Sequence, residues 1–206
     1  MVHEQLVRRG ITDERVLKAM TDVPREEFVP SELRDFSWDD GPLPIGHSQT
    51  ISQPYTVARM CEALQLTGDE TVLEVGAGSG YSACVLSCLA RQVHAIERIP
   101  DLARDADTRI ARLGYNVAVC NGDGSLGLPD EAPFDAIVIA AGAPFVPKAC
   151  AEQLTEGGRL VLPVGSRAHQ QLCRFTREHR KLRKEDLGAY AFVPLLGEQG
   201  WNIPDL

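Results

Sequence analysis

Short apolar runs separated by glycine, proline and polar clusters recur along this chain, and their spacing predicts strands alternating with helices. Residues 3–22 read as helical, with Thr12 as N-cap, Asp13 and Glu14 in the first turn, and Val16, Leu17 and Met20 as an apolar stripe. Prolines and glycines at 24, 30, 41, 42, 44 and 46 then predict a turn-rich strap over 24–46. A helical apolar stretch follows over 55–64. Beyond it come a buried strand over 71–75, a helix over 81–90, and strands over 92–96 and 117–120. The β-branched run 134–140 reads as a buried parallel strand. A short helix over 147–154, a strand over 159–164 and two last strands over 170–176 and 189–195 complete the series, with the edge strand left open. Strands alternating with helices predict a parallel sheet with helices on both faces.

The first strand runs into Gly76-Ala77-Gly78-Ser79-Gly80. Glycines permit positive φ and let a ligand approach bare backbone, and the following helix points free N–H groups at whatever sits over the turn. The dinucleotide fingerprint G-x-G-x-x-G is not met, because the third glycine falls one residue early and Tyr81 takes its place. Glu74 precedes the turn, and the pattern E-x-G-x-G-x-G resembles the first motif of S-adenosyl-L-methionine (AdoMet)-dependent methyltransferases. Glu97 ends the next strand, placed to accept from two ribose hydroxyls. Gly122-Asp123-Gly124 ends the third, where an acid beside glycines reaches the adenine edge. Glu74 is read either as a cofactor contact or as the group that orients the turn through its backbone N–H groups.

Charge and cysteine content narrow the choice. The 206 residues suffice for one domain, and 44% hydrophobic residues is ordinary for a globular chain. A formal net charge of −8 argues against a nucleic-acid surface. The basic cluster Arg174, Arg177, Arg180, Lys181, Arg183 and Lys184 is diluted by Glu178, Glu185 and Asp186 and reads as a solvated hairpin. The cysteines at 61, 84, 88, 120, 150 and 173 form no C-x-x-C pair, so neither a metal site nor a disulfide framework is expected. Met1-Val2-His3-Glu4-Gln5 shows no apolar run, so no signal peptide and no membrane span are expected; the reading is cytoplasmic.

Pro42-Leu43-Pro44-Ile45-Gly46-His47-Ser48-Gln49-Thr50-Ile51-Ser52-Gln53-Pro54-Tyr55 is the most specific stretch. With Val23-Pro24-Arg25-Glu26-Glu27-Phe28-Val29-Pro30, the glycine turn, Gly157 to Gly165 and Phe192-Val193-Pro194-Leu195-Leu196-Gly197, it resembles the protein-L-isoaspartate O-methyltransferases over nearly the whole chain. The resemblance implies a doubly wound, mostly parallel seven-stranded α/β sheet of the Rossmann-like methyltransferase type. It implies one domain, with 1–55 as an N-terminal helical arm and active-site loop and 56–206 as the core. The implied reaction moves the AdoMet methyl to the α-carboxylate of an isoaspartyl residue, leaving S-adenosyl-L-homocysteine (AdoHcy). The ester closes to a succinimide that hydrolyses partly to aspartate. Ser52 matches the family's active-site serine and would hold one carboxylate oxygen while the other is aimed at the methyl. Thr50 and Ile51 would line the pocket by their backbone, beside Glu74, Gly76, Ala77, Gly78, Glu97, Asp123 and Gly124. A carboxylate is ionised at neutral pH and a sulfonium is an activated leaving group, so neither a strong base nor a metal is required. Isoaspartyl proteins and peptides are the implied partners, flexible or unfolded segments preferred. Ser48 stands where the family often carries glycine.

Other readings remain open. Ser52 also suits the N-cap of the helix that Pro54 opens. His47 reads as a surface hydrogen-bonder in a turn. Ala141-Gly142-Ala143-Pro144 lacks the Asn/Asp-Pro-Pro-Tyr of many amino and nucleic-acid methyltransferases. The rival functions are a methyltransferase for another carboxylate, such as a normal aspartate in a dedicated peptide, a NAD-dependent oxidoreductase, and a silent AdoMet-binding regulator.

Overall fold

The computed structural model describes residues 1–179 and 181–202; Arg180 of the basic cluster lies outside them. The N-terminal arm is less regular than its periodicity predicts. Val2–Leu6 form a π-helical stretch and Val7–Arg9 a 3₁₀ turn, and Gly10 at φ +91° breaks the path. The regular helix α1 spans Glu14–Asp22. Its cap is Asp13 rather than Thr12: the Asp13 carboxylate accepts from the N–H groups of Arg15 and Val16, whereas the Thr12 N–H donates to Glu62 Oε1 at 2.7 Å. Two 3₁₀ turns, Arg25–Phe28 and Ser31–Phe36, carry the chain onward.

The strap expected over 24–46 ends in a hairpin that proline and glycine content did not reveal. Strand β1 (Leu43–Gly46) pairs antiparallel with β2 (Gln49–Ile51). Its two-residue turn, His47 and Ser48, has φ of +52° and +56°, as a type I′ hairpin turn requires. Helix α2 spans Pro54–Leu64 with Gln53 as its cap residue, so Ser52 is not the cap.

The core follows as β3 (Thr71–Val75), α3 (Tyr81–Ser87), β4 (Gln92–Glu97), α4 (Pro100–Leu113), β5 (Val117–Asn121), β6 (Phe134–Ile139) and α5 (Lys148–Glu152), with only 3₁₀ turns between β5 and β6. Three strands then come in succession, β7 (Leu154–Gly165), β8 (Gln170–Glu178) and β9 (Lys181–Tyr190). The last strand is therefore the charged run, not 189–195. Arg174 on β8 lies opposite Glu185 on β9, and Arg183 reaches Glu178. Cross-strand charge pairs on an exposed edge strand satisfy a sheet without an apolar alternation.

The sheet order is β5-β4-β3-β6-β7-β8-β9. The first five strands are parallel, and β8 and β9 are antiparallel additions. From β3 the chain builds outward through β4 and β5, then returns to β6 on the other side. That reversal opens a crevice at the carboxyl ends of β3 and β6. Alternate residues of each parallel strand serve opposite layers. Val72, Val93, Ala95, Ala136 and Val138 pack with α1, α2 and α3, whereas Leu73, Val75, Ile96, Ile137 and Ile139 pack with Cys150 and Leu154. Among the described residues no helix is long and apolar enough to cross a membrane.

The entry to β3 is fixed by a buried acid. Glu70 accepts from the N–H of Thr67 at 2.9 and 3.0 Å and from the N–H of Gly68 at 2.9 Å, with Arg159 at 3.5 Å. Burial alone would raise its pKa, but the N–H groups of Gly68 and Thr67 prevail and hold it down at about 2. A depressed folded-state pKa stabilises the fold above the ordinary 4.5, and that contribution is lost as pH falls from 4.5 towards 2. Glu70→Gln should cost roughly 2 kcal/mol in urea unfolding at pH 7 and clearly less at pH 3. Equal losses at both pH values would show that the charge contributes nothing.

Candidate active site

Two adjoining cavities meet at the crevice. The first is a concave cleft at the carboxyl ends of the central strands, the kind of place where small molecules bind. Its walls take in Gly76, Ala77 and Gly78 of the turn, Glu74 and Glu97 from the strand ends, and Gly124. Thr50, Ile51 and Ser52 close it from the hairpin side, and Val193 to Leu196 from the C-terminal segment.

The glycine turn is held by backbone and by one carboxylate. Gly76 N–H donates to Ile96 O at 2.8 Å and Gly80 N–H to Ala77 O at 2.8 Å. Gly78 N–H donates to Glu97 Oε2 at 2.9 Å, while Glu97 Oε1 accepts from Ile99 N–H at 2.9 Å. The acid that orients the turn is thus Glu97, and the turn-orienting role weighed for Glu74 does not apply. A Cβ on Gly80 would lie 2.9 Å from Ile110 Cδ1, and one on Gly78 would lie 3.3 Å from Ile45 Cδ1, at positive φ in both cases. The first contact seats α4 against the turn, and the second brings β1 down over it.

Glu74 has a different environment. It is 1% exposed, its Oε2 has no hydrogen-bond partner, and burial above all pushes its pKa up to about 8. The Ser82 hydroxyl and Ala83 N–H work against that shift, and Glu97 adds to it. Gly124 is buried where a Cβ would lie 2.5 Å from Val75 Cγ1. The neighbouring Asp123 carboxylate is engaged within the protein: Oδ1 accepts from Ser125 N–H at 2.9 Å and Oδ2 from Glu198 N–H at 2.8 Å. At this strand end the cleft wall is Gly124, and the expectation that the Asp123 side chain faces the ligand gives way to a carboxylate that ties down the C-terminal segment.

Ser52, Thr50, Ala140 and Val193 are shared with the second cavity, which continues past Gln53, Tyr55 and residues 187–193. Arg9 is the one formally charged residue among the described residues of its wall. The guanidinium stacks 3.6 Å from the Tyr55 ring centre and its Nη1 donates to both Asp40 oxygens at 3.1 Å. His47 is exposed, with Nε2 3.9 Å from Asp101, and stands in neither cavity wall.

The arm grips the cleft from beneath. Tyr81, the first residue of α3, meets Phe28 edge-on at 5.4 Å, donates its hydroxyl to Met20 Sδ at 3.7 Å, and lies under the buried Arg25 guanidinium at 4.9 Å. Burial pushes the Arg25 pKa down to about 10, so it stays charged at neutral pH. Sequence reasoning missed Tyr81 as a wall residue and misread the C-terminal segment as a strand. That segment instead bonds to the loop after β6, Gly142 N–H to Val193 O and Leu195 N–H to Gly142 O, both at 2.8 Å. The only signal for it was the motif Phe192 to Gly197. Among the described residues no three His, Cys, Asp or Glu side chains are grouped to hold a metal ion.

A family model described as protein-L-isoaspartate(D-aspartate) O-methyltransferase matches residues 1–200. The chain is 55% identical over 204 residues to protein-L-isoaspartate O-methyltransferase 1 of Rhodopseudomonas palustris (strain HaA2), covering 98% of this chain and 83% of the relative. It is 54% identical over 204 residues to protein-L-isoaspartate O-methyltransferase 2 of Marinobacter nauticus, covering 98% and 93%. A solved protein-L-isoaspartate O-methyltransferase superposes with a TM-score of 0.86 at 29% identity, over 97% of this chain and 67% of that one. A Plasmodium falciparum structure of the same description, in complex with S-adenosyl-L-homocysteine, gives 0.79 at 27% identity over 95% and 96%.

Ser48 gives this site a local test. An L-residue in the left-handed region costs ~1–2 kcal/mol, offset in part by the greater freedom of glycine in the unfolded chain. Ser48→Gly should therefore stabilise the protein by about 0.5 kcal/mol, read as a higher urea midpoint at unchanged slope. A lower midpoint would show that the turn does not strain Ser48.

Proposed function

The chain belongs to the protein-L-isoaspartate(D-aspartate) O-methyltransferase family, and from that membership and the paired cavities we infer its reaction. It transfers the methyl group of AdoMet to the α-carboxylate of L-isoaspartyl residues in damaged proteins and peptides. The ester product closes to a succinimide, whose hydrolysis returns part of the material to aspartate. The observation that carries this reading within the molecule is the position of Ser52 in the walls of both cavities. Of the four residues that the cavities share, the reading gives Ser52 the place between donor and acceptor.

The cleft suits the cofactor by its own features. It has bare backbone at Gly76, Gly78 and Gly124, a buried unpartnered acid oxygen on Glu74, and a carboxylate at the end of β4. The reading assigns the ribose hydroxyls to Glu97, whose two N–H bonds leave further lone pairs for them. Gly76, Ala77 and Gly78 lie along the amino-acid end with Glu74, and Gly124 with Asp123 behind it flanks the adenine. Thr50 and Ile51 cover the cofactor by their backbone. When bound, AdoMet supplies an activated methyl on a positively charged sulfur.

The acceptor carboxylate is ionised at neutral pH, so Ser52 has no proton to remove. Its hydroxyl donates to one oxygen and thereby turns the other towards the methyl. Alignment of this kind is worth up to ~7–11 kcal/mol. The extended walls of the second cavity favour flexible or unfolded segments as substrates, and the net charge of −8 favours protein over nucleic acid. The reading takes the chain as one methyltransferase domain, with 1–55 as arm and active-site loop and 56–206 as core. It places the protein in the cytoplasm.

Methyl transfer from labelled AdoMet to matched isoaspartyl and aspartyl peptides tests the substrate. Labelling of the isoaspartyl peptide alone is expected; labelling of the aspartyl twin would favour another carboxylate as acceptor. Residue roles are separated by a split in kinetics. Ser52→Ala should lower turnover about 10- to 100-fold with AdoMet affinity nearly unchanged, and Glu97→Ala should weaken AdoMet by a similar factor. Unaltered AdoMet binding by Glu97→Ala would remove the ribose assignment.

A further inference from the structure

Arg9 stands in the wall of the second cavity and is the one formally charged residue among the described residues there. Its partner Asp40 is not part of that wall, so the cavity meets the guanidinium and not the carboxylate. The cation is fixed on two sides. It stacks 3.6 Å from the Tyr55 ring centre, and Nη1 donates to both Asp40 oxygens at 3.1 Å. Asp40 Oδ1 also accepts from Gln53 Nε2 at 2.5 Å, and Gln53 adjoins Ser52. This short relay sets the guanidinium beside the proposed acceptor site. A guanidinium presents its N–H donors as a planar fork. Among the described residues only Nη1 makes hydrogen bonds, which leaves the Nε–Nη2 edge, the one that takes a carboxylate in two parallel bonds. The side chain is 39% exposed, so an incoming chain can reach it.

We propose that Arg9 selects the acceptor: its free edge receives a second carboxylate of the isoaspartyl polypeptide while Ser52 holds the first. That carboxylate comes from an acidic side chain close to the isoaspartyl residue or from the end of the chain. The inference rests on the isoaspartyl reading and adds which isoaspartyl sites are taken first. The rest of the described wall offers hydroxyls, an amide and apolar surface, as at Thr50, Gln53, Tyr190 and Phe192, but no second cation. At a net charge of −8 the protein as a whole repels an acidic chain. A fixed guanidinium in the groove reverses that sign locally, and a side chain already pinned loses little freedom when it binds.

A purely structural Arg9 predicts a different result. An arginine that only ties the arm to Asp40 affects every acceptor alike, because it acts through the placement of Ser52. A selecting arginine changes the ratio between acidic and neutral acceptors. The change falls on KM, where binding shared by ground state and transition state is read. Charge and shape separate as well: any cation attracts an acid, whereas the planar fork fixes its geometry.

Steady-state methyl transfer from labelled AdoMet to isoaspartyl peptides with blocked ends tests this in the full-length protein. Each peptide carries Glu, Gln or Lys at one of the two positions before or the two after the isoaspartyl residue. The Gln peptides with a free C-terminal carboxylate form a second arm. Wild type should show a KM about 3- to 5-fold lower for Glu than for Gln at the best position, with kcat nearly unchanged and Lys the poorest. The same gain from the free end instead identifies the chain end as the source. In Arg9→Gln the ratio of the two KM values should close to about one whatever the overall rate, and Arg9→Lys should keep part of it. Equal KM for all peptides in wild type, or a ratio that survives Arg9→Gln, overturns the inference and leaves the isoaspartyl reading standing. Methylation of none of the peptides overturns that reading and the inference together. Should Arg9→Gln not fold, the wild-type ratio decides by its response to salt: it should fall towards one between ~0.05 and ~0.5 M, and a salt-independent ratio overturns the inference.

Discussion

The left-handed turn between β3 and α3 is the constraint on which the rest of the site depends. Gly76, Gly78 and Gly80 all take positive φ, a run that L-residues with side chains would resist at each step. Once the turn is made, other elements lock onto it. Ile110 on α4 occupies the space beside Gly80, Ile45 on β1 covers Gly78, and Glu97 at the end of β4 holds the Gly78 N–H. Three segments distant in sequence are thereby indexed to one short stretch of backbone. The turn also ends in Tyr81, which the arm grips through Met20, Arg25 and Phe28. A shift of the arm is a shift of the cleft wall.

Two acids at neighbouring strand ends show how position in the sheet divides their chemistry. Glu74 lies on a central strand between β4 and β6, where packing on both sides removes water and leaves its Oε2 without a partner. Glu97 lies one strand outward and meets the N–H groups of two loops, from Gly78 and Ile99. At Glu74 desolvation outweighs the Ser82 hydroxyl and the Ala83 N–H and pushes the pKa up, whereas both Glu97 oxygens accept from backbone N–H groups. The same residue type is thus a buried acid with an unpartnered oxygen in one place and a fixed acceptor in the other. Nothing in the residue identity distinguishes them; only the three-dimensional neighbours do.

Most of the sheet was legible because parallel central strands are buried on both faces and so read as plain apolar runs, as in Phe134–Ile139. The glycine turn was legible because its φ values demand glycine. The edge was not. Strand β9 satisfies itself with cross-strand ion pairs and one exposed face, so Lys181–Tyr190 reads as a solvated charged segment while the more apolar 189–195 drew the strand assignment. The β1–β2 hairpin was hidden for a related reason: its turn uses His47 and Ser48, not the Asn-Gly or Gly-Gly pairs that announce a type I′ turn. In the site, strand-end residues were found from spacing, and Ser52 from the family motif. Val193 to Leu196 and Tyr81 were not assigned as walls, because their place there depends on contacts with Gly142 and Phe28, more than 50 positions away in the chain.

The hairpin explains why a repair methyltransferase needs its arm at all. The core sheet alone provides the cleft floor, the glycine turn and Glu97. The loop after β6 that faces the acceptor side is Ala140-Ala141-Gly142-Ala143 and carries no polar side chain. Ser52 enters from outside the core, fixed between β2 and the proline-started α2 and backed by Gln53, whose amide holds Asp40 at 2.5 Å. Asp40 in turn holds Arg9 over Tyr55. The serine is therefore aimed by a rigid chain of contacts running from the first ten residues to α2. In the proposed reaction its hydroxyl has no bond to break, only an oxygen to hold still, and a fixed mounting is what that task requires.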